Sequence, residues 1–448
     1  MPSITSTLVA LTSRITYEAL PQTTVAAARR AILDALGCAI AAQGCEPARI
    51  AGRVVPAGAG EATVIGEAGR SSVDRAVLIN GVLVRYLDMM DVYWAKDVCH
   101  PAENVPLALA CVESVKGTGK ALIEAVVAGY EAQLRLTHTL SLDRMGMHHV
   151  AAAGIVSPLV IGKAWRLAPE VIEQAVAIAG CRQFTLQALS RGGLSMTKAI
   201  GYPWSAMSSV MATRLAQEGF TGPVDFLDWL GDKSPLKVEI DRQALEHDGT
   251  YLVEHVSFKQ YPVQFELQTP GEIAIRMSAA IRKAGAAIES VEIHVPPITV
   301  GRTADPAKFA PQNRETADHS LPVCVAMGLL DGKLTAAQFE HDRWAADEVA
   351  ALVARIEVVS SEEFATRYPR GRPAQITVRL ANGETLTDFQ DVPTGDVERP
   401  MDDDAIVGKF MANASEVVGE ARARQIVESV WTLERMECVE DLTRLLAG

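Results

Sequence analysis

The 448-residue chain is too long for one ordinary core, so two domains are expected. A hydrophobic share of 48% and a charged share of 22% exclude a disordered chain, and 5% aromatics favour helices packed through small aliphatic side chains over a large β-sandwich. The net charge of -13 gives no attraction to nucleic acid or an anionic membrane, yet a few local cations could still make one pocket suit an anionic ligand.

The N-terminus, MPSITSTLVALTSRITYEAL, lacks the basic region and long apolar run of a signal peptide. No uninterrupted apolar stretch approaches the roughly 20 residues of a membrane span. The seven cysteines are dispersed, with no C-x-x-C pair, which reads as reduced thiols, mostly small core residues, in a soluble cytoplasmic protein.

Helical signals dominate the first 267 residues. Val25, Ala28, Ile32, Leu33, Leu36 and Ile40 recur at helical spacing after Pro21. SSVDRAVLINGVLVRYLDMMD, ENVPLALACVESV, GKALIEAVVAGYEAQLRLTHTL and PEVIEQAVAIAG continue the pattern, several of them apolar nearly all round, as in a large bundle. From residue 268 to 400 the pattern mixes strands and helices. AIESVEIHVPPITV, ALVARIEVVSS and AQITVRLANGETLTDF read as strands, the last with a two-residue turn at Asn382-Gly383, and LPVCVAMGLLDG and TAAQFEHD read as helices. Residues 401–448 return to helix in DDDAIVGKFMAN and SEVVGEARARQIVESVWTL. The expected fold is mainly α: a helical domain (1–267), an inserted α+β domain (268–400) and C-terminal helices (401–448) that rejoin the first.

The chemistry concentrates between Leu87 and Asn104, LDMMDVYWAKDVCHPAEN. Asp88 and Asp91, three apart, would share a helix face, and His100-Pro101 opens a loop that returns an imidazole towards them. General acid/base work, a metal site with two carboxylates and an imidazole, or plain helix capping all fit that spacing. His148-His149 precede an apolar helix whose N-terminal dipole would lower a histidine pKa; neighbours point apart, so one of the two is expected to face a site. Lys198, ahead of the helix WSAMSSVMATRLAQEGF, could bind a substrate carboxylate or sit solvated at the surface. Lys259 and Tyr261 in SFKQYPVQ, and Asp318-His319-Ser320, carry the same two readings; three consecutive residues do not make a catalytic triad. There is no G-x-G-x-x-G after a strand, no Walker lysine motif, no H-E-x-x-H and no G-x-S-x-G.

Taken together, NGVLVRYLDMMDVYWAKDVCHPAENVPLALA, AGYEAQLRL, GMHHVAAAG, LSMTKAIGYPWSAMSSVMATRLAQEGFTGP, FKQYPVQ, ETADHSLP and the Pro400–Phe410 segment resemble the MmgE/PrpD family of 2-methylcitrate dehydratases and their relatives. The spacing from Leu87-Asp88 to His100-Pro101 is similar to that of the dehydratase branch; decarboxylase relatives have a shorter loop. The resemblance implies an all-helical domain, an α+β lid, a cleft between them, a homodimer, and no cofactor or metal. It implies catalytic roles for Asp88, His100, His148, Lys198 and Lys259. Asp91, Asn104, Tyr261, Gln264 and His319 are the implied substrate-binding neighbours. Asp88 would orient His100 or act as a base. The implied substrate is a small di- or tricarboxylate, most simply a 2-methylcitrate-like hydroxy acid undergoing dehydration. Decarboxylation of a cis-aconitate-like acid, epimerisation of a dicarboxylate and ligand binding without catalysis are the alternatives. The chain departs from its relatives at Val323, where many carry Tyr, at Gln264 and Gln268, where several place a histidine, and at Met89-Met90.

Overall fold

A computed structural model describes residues 2–236, 238–368 and 370–448. The chain is mainly helical, and its apolar side chains gather into two buried clusters. The larger cluster runs from Ile4 to Phe258 and takes up Met401 to Leu446; the smaller one runs from Val263 to Leu380. The chain therefore crosses from one core to the other between Phe258 and Val263, the stretch that carries Lys259 and Tyr261.

Helix Val73–Tyr86 is the centre of the larger core. Every residue in it except Asp74 is buried, as its nearly all-round apolar sequence demands. Helix Thr197–Gln217 lies against it at Gly81, where a Cβ would come within 2.8 Å of the Pro203 ring, so a glycine is what permits this approach. The C-terminal helix Asp403–Val418 packs on Gln22–Ala41. Its Lys409 ammonium, fully buried, donates to Asp34 and to the Met89 carbonyl at 2.8 Å, holding the segment after Val73–Tyr86 from behind. Short ribbons, Ala62–Thr63 with Arg70–Ser71 and Tyr93–Trp94 with Val98–Cys99, interrupt the helices.

The smaller core is built on a four-stranded sheet in the order Ile356–Ser360, Ile288–Val295, Ala374–Leu380, Thr385–Gln390. The first pair is parallel and the others antiparallel. Val291, Ile293 and Val295 face the core by strand alternation, and helices Gln268–Ala284 and Leu321–Asp331 supply the opposing surface. Two sequence expectations are corrected in this part. ALVARIEVVSS begins as the helix Asp347–Val353 and becomes strand only at Ile356; PITV, after Val295, opens the helix Pro297–Thr303. At the hairpin, Gly383 has φ +88° while Asn382 is absent from the positive-φ residues, and Leu380 N–H pairs with the Glu384 carbonyl. The connection is thus a three-residue loop, since a two-residue type I′ turn needs positive φ at both positions. Among the described residues no helix is long and apolar enough to cross a membrane.

Candidate active site

Helix Val73–Tyr86 stops at Leu87, and Asp88 turns the chain with φ +51°, a left-handed conformation uncommon for a residue with a Cβ. Asp88 and Asp91 therefore do not share a helix face; both lie beyond the helix. The Tyr93–Trp94/Val98–Cys99 ribbon then carries the chain out and back to His100. Val92 pairs with Ser257 through two backbone hydrogen bonds, which brings the Lys259 segment beside Asp88.

A cavity of about 270 Å³ opens above this turn. Asp88, His100, His148, Lys198, Lys259, Gln264 and His319 all line it, although they come from six separate stretches of chain. Asp88 is the hub. Lys259 Nζ donates to its carbonyl at 2.8 Å and pairs with Oδ2 at 3.1 Å; Lys198 Nζ stands 3.6 Å from Oδ1, and His319 Nε2 3.8 Å from Oδ2. Burial alone would raise the Asp88 carboxyl, but the Lys198 and Lys259 charges, with His319 and Arg85, outweigh it and hold the group well below the ordinary carboxylate range. Such a carboxylate stays charged and is a poor proton carrier. Lys198 lies inside the first turn of Thr197–Gln217, not ahead of that helix as its sequence suggested, and also faces Asp318 at 3.6 Å.

The histidines are held differently. His100 Nδ1 lies 2.7 Å from the Asp91 carbonyl. A carbonyl only accepts, so Nδ1 carries the proton and Nε2 keeps its lone pair. The group that orients His100 is thus the Asp91 backbone and not, as expected, the Asp88 side chain. His148 Nδ1 accepts from the Val150 N–H at 3.4 Å, which puts the proton on Nε2. Burial first, then Arg85, hold His100 well below the usual imidazole range; burial, with Arg85 and Lys198, brings His148 down to about 3. Burial and cations thus do what a helix dipole was expected to do. His149 also lines the cavity, its ring 4.1 Å from that of His148 and 5.3 Å from that of His100, so both neighbours face one site against expectation. His319 Nδ1 donates to Asp318 at 2.5 Å, a hydrogen bond between adjacent residues, and Arg314 in turn holds Asp318 at 3.1 Å.

Three expected neighbours do not line the cavity. Asp91 spends both carboxylate oxygens internally, accepting from Ala102 N–H at 2.8 Å and Tyr130 hydroxyl at 2.6 Å. Asn104 is buried among Pro101, Gln133 and Tyr202, fastening the His100 loop to two helices. Tyr261 is clamped through its backbone by Gln268. Val323 is buried in helix Leu321–Asp331, away from the lining. With Asp91 occupied and two ammonium groups on Asp88, the Asp88, Asp91 and His100 side chains do not form a ligand set. No group of three or more His, Cys, Asp or Glu among the described residues is arranged to hold a metal. Sequence reasoning missed Arg85 and the outer wall of Trp94, Phe265, Glu266, Arg302 and Tyr368. An arginine inside the apolar run VLINGVLVRYL was the available signal for the first.

Residues 6–231 match the MmgE/PrpD N-terminal domain and residues 261–433 the MmgE/PrpD C-terminal domain. The chain is 27% identical to the 2-methylcitrate dehydratase of Escherichia coli (strain K12), across 94% of this chain and 92% of the relative. It is 26% identical to the 2-methylcitrate dehydratase of Cupriavidus necator, across 92% and 90%. It is also 25% identical to the cis-aconitate decarboxylase of Mus musculus, across 83% and 78%.

Proposed function

This chain belongs to the MmgE/PrpD family, and from that premise we propose that it is a hydro-lyase that dehydrates a small hydroxy tricarboxylate of the 2-methylcitrate type. The observation that carries this reading is that two buried imidazoles, His100 and His148, line one cavity in opposite tautomers with buried cations beside them. A C–H bond beside a carboxylate is very weakly acidic, so its cleavage needs a positioned base and cations where negative charge develops.

In the proposed mechanism His100 Nε2 takes the proton from the carbon next to a carboxylate. The C–H electron pair becomes the new C=C bond as the C–O bond on the adjacent carbon breaks. His148 Nε2–H protonates the departing hydroxyl, which leaves as water, and the proton taken up by His100 then returns to His148, so that both imidazoles end neutral. Lys198 and Lys259 face the developing carboxylate charge, and Asp88 fixes those two ammonium groups instead of moving a proton. Gln264 Oε1, buried without a hydrogen-bond partner, is free to accept from the substrate hydroxyl. No residue is assigned a cofactor or a metal in this scheme.

Decarboxylation is kept as the second reading because the mouse relative bears that name; His148 would then protonate the carbanion left by carbon dioxide. Purified protein offered citrate, 2-methylcitrate and cis-aconitate separates the cases. Alkene absorbance without carbon dioxide supports dehydration, and carbon dioxide release supports decarboxylation. If no acid reacts, and none exchanges a C–H proton in heavy water, the chain is a binding protein and the catalytic reading is wrong.

Further parts of this proposal are that residues 268–400 act as a lid over a floor formed by 1–267 and 401–448, and that the enzyme is a cytoplasmic homodimer. A second copy of the chain is the proposed cover for an apolar band in which Trp204, Met211 and Leu215 stand exposed along one helix with Phe220 beyond it. Sedimentation of wild type against Trp204→Glu tests this: a wild-type monomer would rule it out.

A further inference from the structure

Arg85 is a buried cation that, among the described residues, finds no hydrogen-bond partner at two of its three nitrogens. Its side chain is only 3% exposed, yet it lines the cavity, and Nε and Nη1 make no hydrogen bond. The two carboxylates nearest it stop short: Glu103 Oε1 is 3.5 Å from Nε and Asp88 Oδ1 is 3.8 Å from Nη1. The lysines differ. Lys259 spends its ammonium on the Asp88 carbonyl and carboxylate, and Lys198 stands among Asp88, Asp318 and His319. Leaving buried donors unmatched is costly, and a planar guanidinium offers the paired N–H geometry that a carboxylate fits. Glu103 behind it has no hydrogen bond to either oxygen.

We propose that Arg85 is the substrate's carboxylate anchor on the cavity floor, held in place by Glu103 and Asp88 at distances that leave its N–H groups free for the ligand. This rests on the polycarboxylate reading above. The position suits that role: Arg85 lines the same cavity as His100, His148 and His149, so a carboxylate bound there occupies the space that the imidazoles line.

The test is calorimetric binding of propane-1,2,3-tricarboxylate, which has no hydroxyl to lose and reports binding apart from turnover. Arg85→Gln is expected to weaken it about ten- to a hundredfold, the range for charged hydrogen bonds. Arg85→Lys, which keeps the charge and loses the fork, should fall between. Added guanidinium chloride should restore binding to Arg85→Ala, whereas equal concentrations of sodium chloride should not; a purely structural role predicts no such rescue. If Arg85→Gln fails to fold, Arg85→Lys decides, since an unchanged affinity in that variant overturns the proposal. Should the wild-type protein bind no tricarboxylate, the polycarboxylate reading falls, and the anchor with it. Binding by wild type that is equal in both variants removes only the anchor.

Discussion

The floor and the outer wall of the cavity are built on different physics. On the floor, Arg85, Lys198 and Lys259 surround Asp88 with almost no water access, and His100 and His148 each have one nitrogen tied to the backbone. On the outer wall the charges are muted by aromatic faces. The Arg302 guanidinium lies 5.3 Å from the Trp94 ring while its Nη1 donates to Glu266 at 2.7 Å, and Trp94 meets Tyr368 edge to face at 5.9 Å. In the proposed mechanism the floor holds charge and moves protons, and the wall presents shape. Changes on the floor should therefore cost stability, turnover or, at Arg85, the hold on a substrate carboxylate, and changes on the wall should cost affinity alone.

The largest effect is expected at Asp88. Asp88→Asn keeps the shape but leaves two buried ammonium groups without their shared anion, a loss of about 3–5 kcal/mol by the usual scale for breaking a buried pair. Denaturant unfolding measures it; a variant as stable as wild type would mean that the floor is not held by this charge. Next is His100→Ala, expected to lower kcat by on the order of a hundredfold or more with a folded protein. Unchanged kinetics would take His100 out of the mechanism and erase the division of labour between floor and wall.

Much of the floor was legible in the sequence and the wall was not, for a physical reason. Asp88, His100, His148, Lys198 and Lys259 announce themselves as polar residues where helical or Gly-rich signals break. Asp318 was visible but set aside, because neighbours cannot form a triad; they can still share one hydrogen bond, and here they do. The shared face of Asp88 and Asp91 was misread because a left-handed residue at the helix end leaves no mark when it is not glycine. Trp94, Arg302 and Tyr368 lie far apart in sequence and meet only through packing, which no local period encodes. Lys409, supporting Met89 from the C-terminal helix, is equally invisible to local reading.

Acidity sharpens the contrast between groups buried as bases and groups buried as acids. His100 and His148 are held below their ordinary range, so the unfolded chain binds protons that the folded one refuses below about pH 6.5. Their contribution to stability is present above that pH and is lost as the pH falls, for His148 towards about 3. Burial pushes Glu103 the other way, up to about 8, so its contribution is present at low pH and is lost as pH rises through that value. The Tm of Glu103→Gln relative to wild type should therefore rise between pH 5 and 8.5, and a constant difference would show that Glu103 titrates normally. The acid limb of kcat/KM should likewise lie well below 6.5, so a limb at that pH would mean that the imidazoles are solvated.

The smallest effect is expected on the wall, and it is the one that tests whether the two regions are separable. Trp94 Nε1 is buried with no hydrogen-bond partner although its ring lines the cavity. Trp94→Phe keeps an aromatic face for Arg302 and removes that donor together with part of the ring. A neutral hydrogen bond is worth about 0.5–1.5 kcal/mol, so KM should rise about two- to tenfold if the N–H meets substrate. The value of kcat should hold, because the proposed mechanism gives Trp94 no proton to move. A fall in kcat as large as that of His100→Ala would mean that the wall positions the reacting carbon, and shape and chemistry would then be one device in this cavity.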